Sequence, residues 1–105
     1  MREPTFFVLT ALARGPRHGY AVMQDIENLS EGRIRLRTGT LYAAFDRLSE
    51  QKLIESAGEE VVEGRLRRYY RLTELGSATL GAESRRRGSI SKEAIRRLGL
   101  AGGLS

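Results

Sequence analysis

The sequence predicts a mainly α chain with a single β-hairpin and one further helix after it. Three observations carry this. Apolar residues recur at helical spacing in separate blocks up to Leu48, strand-like alternation takes over between Leu53 and Leu72, and helical spacing resumes after Thr73. A length of 105 residues makes one domain, and 40% hydrophobic with 30% charged residues is a globular balance.

The first helix is expected over Pro4 to Arg14, where Pro4 suits a helix start and Phe6, Leu9, Leu12 and Ala13 share a face. Gly15-Pro16 stops it. A second helix runs from about His18 to Leu29, with Val22, Met23, Ile26 and Leu29 on its apolar face, and Ser30-Glu31-Gly32 ends it. A basic link holding Arg33, Arg35 and Arg37 leads to Thr38, placed to cap a third helix whose Leu41, Phe45 and Leu48 turn inward. Leu53 and Ile54 open a polar strand to Val61-Val62, Glu63-Gly64 forms a tight turn, and Leu66 to Leu72 returns. Helix, helix, helix, hairpin is the order of a winged helix-turn-helix. Thr73 caps a fourth helix containing Leu75, Ala78, Ala82, Ile90, Ala94, Ile95 and Leu98. Gly81 and Gly88 weaken its middle by about 1 kcal/mol each. Its thin apolar face calls for a partner.

Composition excludes several function classes. The absence of cysteine leaves no thiolate metal site, and the lone His18 builds no histidine cluster, so no metal or other cofactor is expected. No nucleophile, base and orienting group come together from the remaining residues, and no enzyme is expected. No apolar run is long enough to cross a bilayer and the start lacks a signal-peptide pattern, which predicts a cytoplasmic protein without a membrane partner. The net charge of +5 and a pI near 10.2 favour a polyanion. Of the 18 basic residues only Lys52 and Lys92 are lysine, and arginine's planar fork suits phosphates and guanine edges. Charge alone is a weak signal, and codon bias alone can produce that ratio.

Position is stronger evidence than charge. A helix that reads double-stranded DNA presents small or polar groups in its first turn, and Arg37, Thr38, Gly39 and Thr40 do so. With Leu41, Phe45 and Leu48 inward, Gly39, Ala43 and Arg47 face outward, flanked by Thr40 and Tyr42. Thr38 reads first as a cap and second as a base contact. Tyr42 either fills the rim of the core or donates its hydroxyl to a phosphate. Asp46 is given no site role; it pairs with Arg47 or lies beyond the DNA edge. Arg65, Arg67, Arg68 and Arg71 cluster beside the Gly64 turn, and Arg65 at the tip suits a groove or phosphate. The other reading of this cluster is a charged strand edge that blunts pairing. Arg85-Arg86-Arg87 reads as a solvated helix face. His18 is expected to hydrogen-bond at the start of the second helix or to pack beside Tyr20, and Tyr20 is a candidate phosphate contact.

Taken together, Leu12-Ala13 before Gly15-Pro16, His18-Gly19-Tyr20, Gly39-Thr40-Leu41-Tyr42 with Leu48, Gly64-Arg65, and Tyr69-Tyr70-Arg71-Leu72-Thr73 with Gly76 resemble the PadR family of bacterial regulators. The resemblance covers about residues 4 to 80; each motif is weak alone and the series is specific. It implies a winged-helix DNA-binding domain over 1–73, a C-terminal dimerisation helix over 74–100 and a flexible tail over 101–105. It also implies a homodimeric repressor on an inverted-repeat operator, with the helix from Thr38 to Glu50 as recognition helix and Gly64 with its arginines as wing. Some members release DNA when a small-molecule effector binds between the two copies, and this chain's length suits the subgroup with one helix after the wing. The chain has no tryptophan, so the aromatic sandwich of some drug-binding relatives cannot be built in the same way. Two other functions fit the same fold: an adaptor that holds another regulator through the fourth helix or wing, and a nucleoid binder without sequence preference.

Overall fold

A computed structural model describes residues 1–99; the tail expected over 101–105 lies outside the described residues. The element order is α1 (Glu3–Leu12), β1 (Arg17–His18), α2 (Gly19–Leu29), α3 (Thr38–Glu50), β2 (Ile54–Val62), β3 (Arg65–Leu72) and α4 (Glu74–Leu98). The predicted order holds, with one addition. Two residues after Gly15-Pro16 form β1, which pairs antiparallel with β3 through Arg17↔Tyr70 and His18↔Tyr69 and gives a sheet of order β1-β3-β2. A two-residue strand has no periodicity for a sequence to display.

The core gathers Val8, Leu9, Ala11 and Leu12 of α1, Val22 and Ile26 of α2, Leu41, Phe45 and Leu48 of α3, and Ile54 of β2. Helix α1 contacts α2, α4 and β3, so its buried face is wider than the predicted stripe. Val8 and Ala11 are buried while Ala13, past the last helical residue, is exposed. Leu29, expected inward, is 47% exposed. The chain turns there around Ser30, whose buried hydroxyl accepts the Ile34 amide at 2.9 Å and donates to the Glu27 carbonyl at 3.3 Å. That turn brings Ile34 and Leu36 of the basic link against the core in place of Leu29.

The hairpin turn has positive φ at both central residues, 52° at Glu63 and 78° at Gly64, the mirror-image turn whose twist matches the flanking strands. Farther in, a bulge sets Ala57 and Gly58 opposite Tyr69 alone, with Gly58 at φ 102°. Tyr70 lies 4.4 Å from Phe45, ring to ring, and ties the base of the hairpin to the core.

Helix α4 is continuous through Gly81 and Gly88 to Leu98 and closes on Gly99 in the left-handed conformation, φ 73°. The Thr73 hydroxyl accepts the Gly76 amide at 2.9 Å and donates to the Lys52 carbonyl at 2.6 Å, so the predicted cap also staples α4 to the turn after α3. Gly76 is buried against that turn: a Cβ there would stand 1.9 Å from the Leu53 carbonyl oxygen. Leu80 packs on the core, whereas Leu75, Ile90, Ile95 and Leu98 are exposed.

Candidate nucleic-acid interface

Helix α3 starts one residue earlier than a Thr38 cap would place it, at Thr38 itself. Arg37 is the N-cap, extended at φ −78° and ψ 152°, and its carbonyl accepts the Leu41 amide at 2.9 Å. Thr38 is therefore the first helical residue and not a cap, and among the described residues no side-chain cap hydrogen bond closes this end of the helix. Arg37, Thr38, Gly39 and Thr40 are all exposed. They offer donors and small polar groups at the positive end of the helix dipole.

Tyr42 realises its packing role and stays accessible. Its ring meets Phe45 edge-on at 5.7 Å and is 39% exposed. A Cβ on Gly19 would lie 2.8 Å from the Tyr42 hydroxyl oxygen, so Gly19 is what lets that hydroxyl sit at the start of α2. Ala43 is exposed beside it. Arg47 turns toward α1, where its Nη2 donates to Thr5 Oγ1 at 3.3 Å. It makes no ion pair with Asp46, and with Thr40 it lines a shallow groove that Arg2, Pro4 and Thr5 complete.

The wing arginines separate into two kinds. Arg68 pairs with Glu59 at 3.6 Å and Arg71 with Glu55 at 2.9 Å across the hairpin, so these two are an internally neutralised strand surface. Arg65 follows Gly64 at the tip, exposed and, among the described residues, without a carboxylate within 4.0 Å. Arg67 is half-buried and its guanidinium lies 5.6 Å over the Tyr20 ring. Sequence alone does not show which arginines face glutamates; register does.

His18 caps α2, its Nδ1 accepting the Ala21 amide at 3.2 Å. Its ring packs edge-on against Tyr69 at 5.4 Å and not beside Tyr20, because β1 pairs His18 with Tyr69. Burial, then the Arg67 charge, lower the His18 pKa below the usual histidine value, with Glu60 opposing. Burial and then the Glu60 carboxylate raise the Tyr69 pKa. The Tyr20 hydroxyl accepts from Gln24 Nε2 at 3.1 Å.

The triple arginine of α4 is not a uniformly solvated face. Arg86 pairs with the buried Glu83. Arg87 lies 4.2 Å over the Phe6 ring and its Nη2 donates to the Met1 carbonyl at 3.0 Å, fastening α4 to α1. Phe6 and Glu83 carry no sequence signal for this; the contact exists because α4 crosses α1. Among the described residues no helix is long and apolar enough to cross a membrane.

Residues 8–82 match the family described as the transcriptional regulator PadR-like family. The chain is 37% identical over 73 residues to an uncharacterised protein of Lysinibacillus sphaericus, which covers 70% of this chain and 67% of that one. It is 36% identical over 78 residues to the transcriptional regulator Rv3488 of Mycobacterium tuberculosis, covering 74% and 69% respectively. Two longer curated relatives are matched over 28% and 16% of their lengths. The fold superposes on Bacillus subtilis PadR, solved in complex with operator DNA, with a TM-score of 0.67 and 17% identity over 77% of this chain and 46% of that one. The winged helix predicted from the order of elements is the fold present, and the chain belongs to the PadR-like family of transcriptional regulators, which are not enzymes.

Proposed function

We propose that the chain is a sequence-specific DNA-binding regulator that acts as a homodimeric repressor on an inverted-repeat operator. The observation that carries this reading is the pairing of an uncapped, exposed first turn of α3 with an exposed wing-tip arginine on the same small domain. Arg37, Thr38, Gly39, Thr40, Tyr42 and Arg47 enter or flank the major groove, and Gly64 and Arg65 carry the wing to the backbone beside it. Bacillus subtilis PadR, whose fold the chain shares, is seen on operator DNA, which supports the docking mode.

Residues 1–73 serve as the DNA-binding part and α4 as the dimerisation helix. The 25 residues of α4 span about 37 Å, and Leu75, Ile90, Ile95 and Leu98 need an apolar partner that a second copy supplies. Two-fold symmetry then sets two recognition helices about 34 Å apart in successive major grooves. Repression follows when the operator overlaps a promoter, and a small-molecule effector, where one acts, enters between the copies.

Selection of bound DNA from a random pool tests the reading. A palindrome with half-sites one helical turn apart is expected; enrichment of a single half-site refutes the dimer, and no enrichment refutes sequence-specific binding. Transcription in vitro from a promoter overlapping the selected site should fall on adding the protein, and a rise refutes repression.

A further inference from the structure

We propose that Arg67 and Tyr20 form a brace that sets the direction of the wing, and that Arg67 is a positioning residue and not itself a phosphate contact. Its consequence for affinity rests on the DNA-binding reading above; the brace itself is a property of the free protein.

The outer half of the hairpin lacks apolar support. Tyr70 and Leu72 hold its base to the core, but beyond the bulge at Ala57 and Gly58 the cross-strand pair Val61 and Leu66 is 67% and 61% exposed. A two-stranded ribbon is marginal by itself, so a free tip would sweep Arg65 through a range of positions. The opposite face of β3 supplies the restraint. Residues two apart share a face, so Arg67 and Tyr69 point the same way, toward the start of α2. Tyr69 is pinned by β1 pairing to His18, with the two rings 5.4 Å apart. Arg67 is pinned by Tyr20, in the first turn of α2. One pin allows a pivot. Two pins at successive same-face positions fix a direction, and the second stands two residues from Arg65.

The surroundings of Arg67 fit packing better than reaching. Its Nε is shielded and finds no acceptor, as expected of a guanidinium laid on a ring, and the residue is half-buried where Arg65 and Arg68 are exposed. Glu60 stands opposite it in register but forms no ion pair with it, whereas Arg68 and Arg71 are held by Glu59 and Glu55.

The test compares Arg65→Ala, Arg67→Ala, Tyr20→Ala, the Arg67→Ala/Tyr20→Ala double variant and Tyr20→Phe. On the selected operator Arg67→Ala should weaken binding by roughly two- to fivefold, the scale of an exposed cation–π contact, with an unchanged slope of log affinity against log salt. Arg65→Ala should flatten that slope by about 0.9. Tyr20→Ala should match Arg67→Ala, the double variant should lose no more than either, and Tyr20→Phe, which keeps the ring, should restore affinity. Amide hydrogen exchange at Val62 and Arg65, the pair that closes the hairpin, should quicken in the free protein by roughly the same two- to fivefold in both alanine variants and return in Tyr20→Phe. A slope flattened by Arg67→Ala, losses that multiply in the double variant, or exchange unmoved by either alanine overturns the brace. A protein that binds no DNA sequence refutes the DNA-binding reading instead, and the exchange measurement still decides the brace.

Discussion

Replacing Gly76 with alanine isolates the contact that seats α4. A Cβ there would stand 1.9 Å from the Leu53 carbonyl oxygen and 2.9 Å from its carbon, and both are backbone atoms with no rotamer to change. Ordinary contact begins near 3.4 Å, so α4 must back away by more than an ångström. The same carbonyl accepts the Thr73 amide at 3.1 Å, and that bond breaks with the shift. Overpacking costs about 1–3 kcal/mol and the lost hydrogen bond about 1 kcal/mol, while alanine's better helix propensity returns about 1 kcal/mol. The net loss is about 1–3 kcal/mol, a fall in Tm of roughly 4–20 °C for a domain of this size. Gly88→Ala in the same helix is the control: nothing lies within 4 Å of its Cβ, so the propensity gain of up to about 1 kcal/mol stands alone and Tm should rise. Far-UV circular dichroism melts at equal protein concentration measure both. A Gly76→Ala Tm at or above the parent value refutes the close approach.

Three further outcomes are expected. The His18 pKa is lowered in the folded protein, so the unfolded chain binds more protons in the window below about pH 6.5; the stability contributed by the neutral cap is present above that pH and lost as pH falls through the lowered folded pKa. His18→Asn keeps a capping acceptor without the titration, and urea melts at pH 7.5 and 5 should show a smaller pH-dependent loss than in the parent; an equal loss assigns the pH dependence elsewhere. Gly19→Ala presses on the Tyr42 hydroxyl and ring and should cost under about 1.5 kcal/mol of stability while lowering operator affinity; unchanged affinity removes Tyr42 from the interface. Glu59→Gln releases Arg68 and should tighten DNA binding and steepen the salt slope by up to about 0.9; an unmoved slope places Arg68 off the backbone.

Periodicity made most of the fold legible. Leu41, Phe45 and Leu48 are buried as their spacing requires, and Glu63-Gly64 turns the hairpin where the two strand-like runs part. What stayed hidden depends on chain segments meeting. Two residues of β1 show no period, yet they place His18 on Tyr69 and anchor the sheet to α2. Thr38 carries the side chain of a cap, but Arg37 supplies the carbonyl that opens the helix, because the turn at Ser30 and the extended link fix where the chain turns in. Gly19 and Gly76 stand in the motif series while Gly81 and Gly88 do not, but the reason is tertiary: the Tyr42 ring and the Leu53 backbone leave no room for a Cβ. The α4 glycines, expected to weaken its middle, leave a continuous helix, held in its first half by Leu80 and Arg87 against the body of the domain.

Net charge is the least informative of the sequence signals, and the structure shows why. Many of the 18 basic residues are spent on local neutralisation: Arg33 with Glu3, Arg35 with Glu27, Arg68 with Glu59, Arg71 with Glu55, Arg86 with Glu83, and Arg96 and Arg97 with Glu93. Apart from Arg86 on the buried Glu83, such exposed pairs add little to stability, but all of them remove those arginines from the field an approaching polyanion meets at close range. Among the described residues Arg37 at the start of α3, Arg47 within it and Arg65 at the wing tip have no carboxylate within 4.0 Å, and neither do Arg2, Arg14, Arg17, Lys52, Arg67, Arg85 and Lys92 elsewhere. Arg35 and Arg37 are two apart in one basic link, and only the second remains unpaired. A local excess of unpaired cations attracts phosphate more effectively than a larger total spread over paired ones, so where the thirteen acidic residues fall matters to a polyanion as much as where the arginines do.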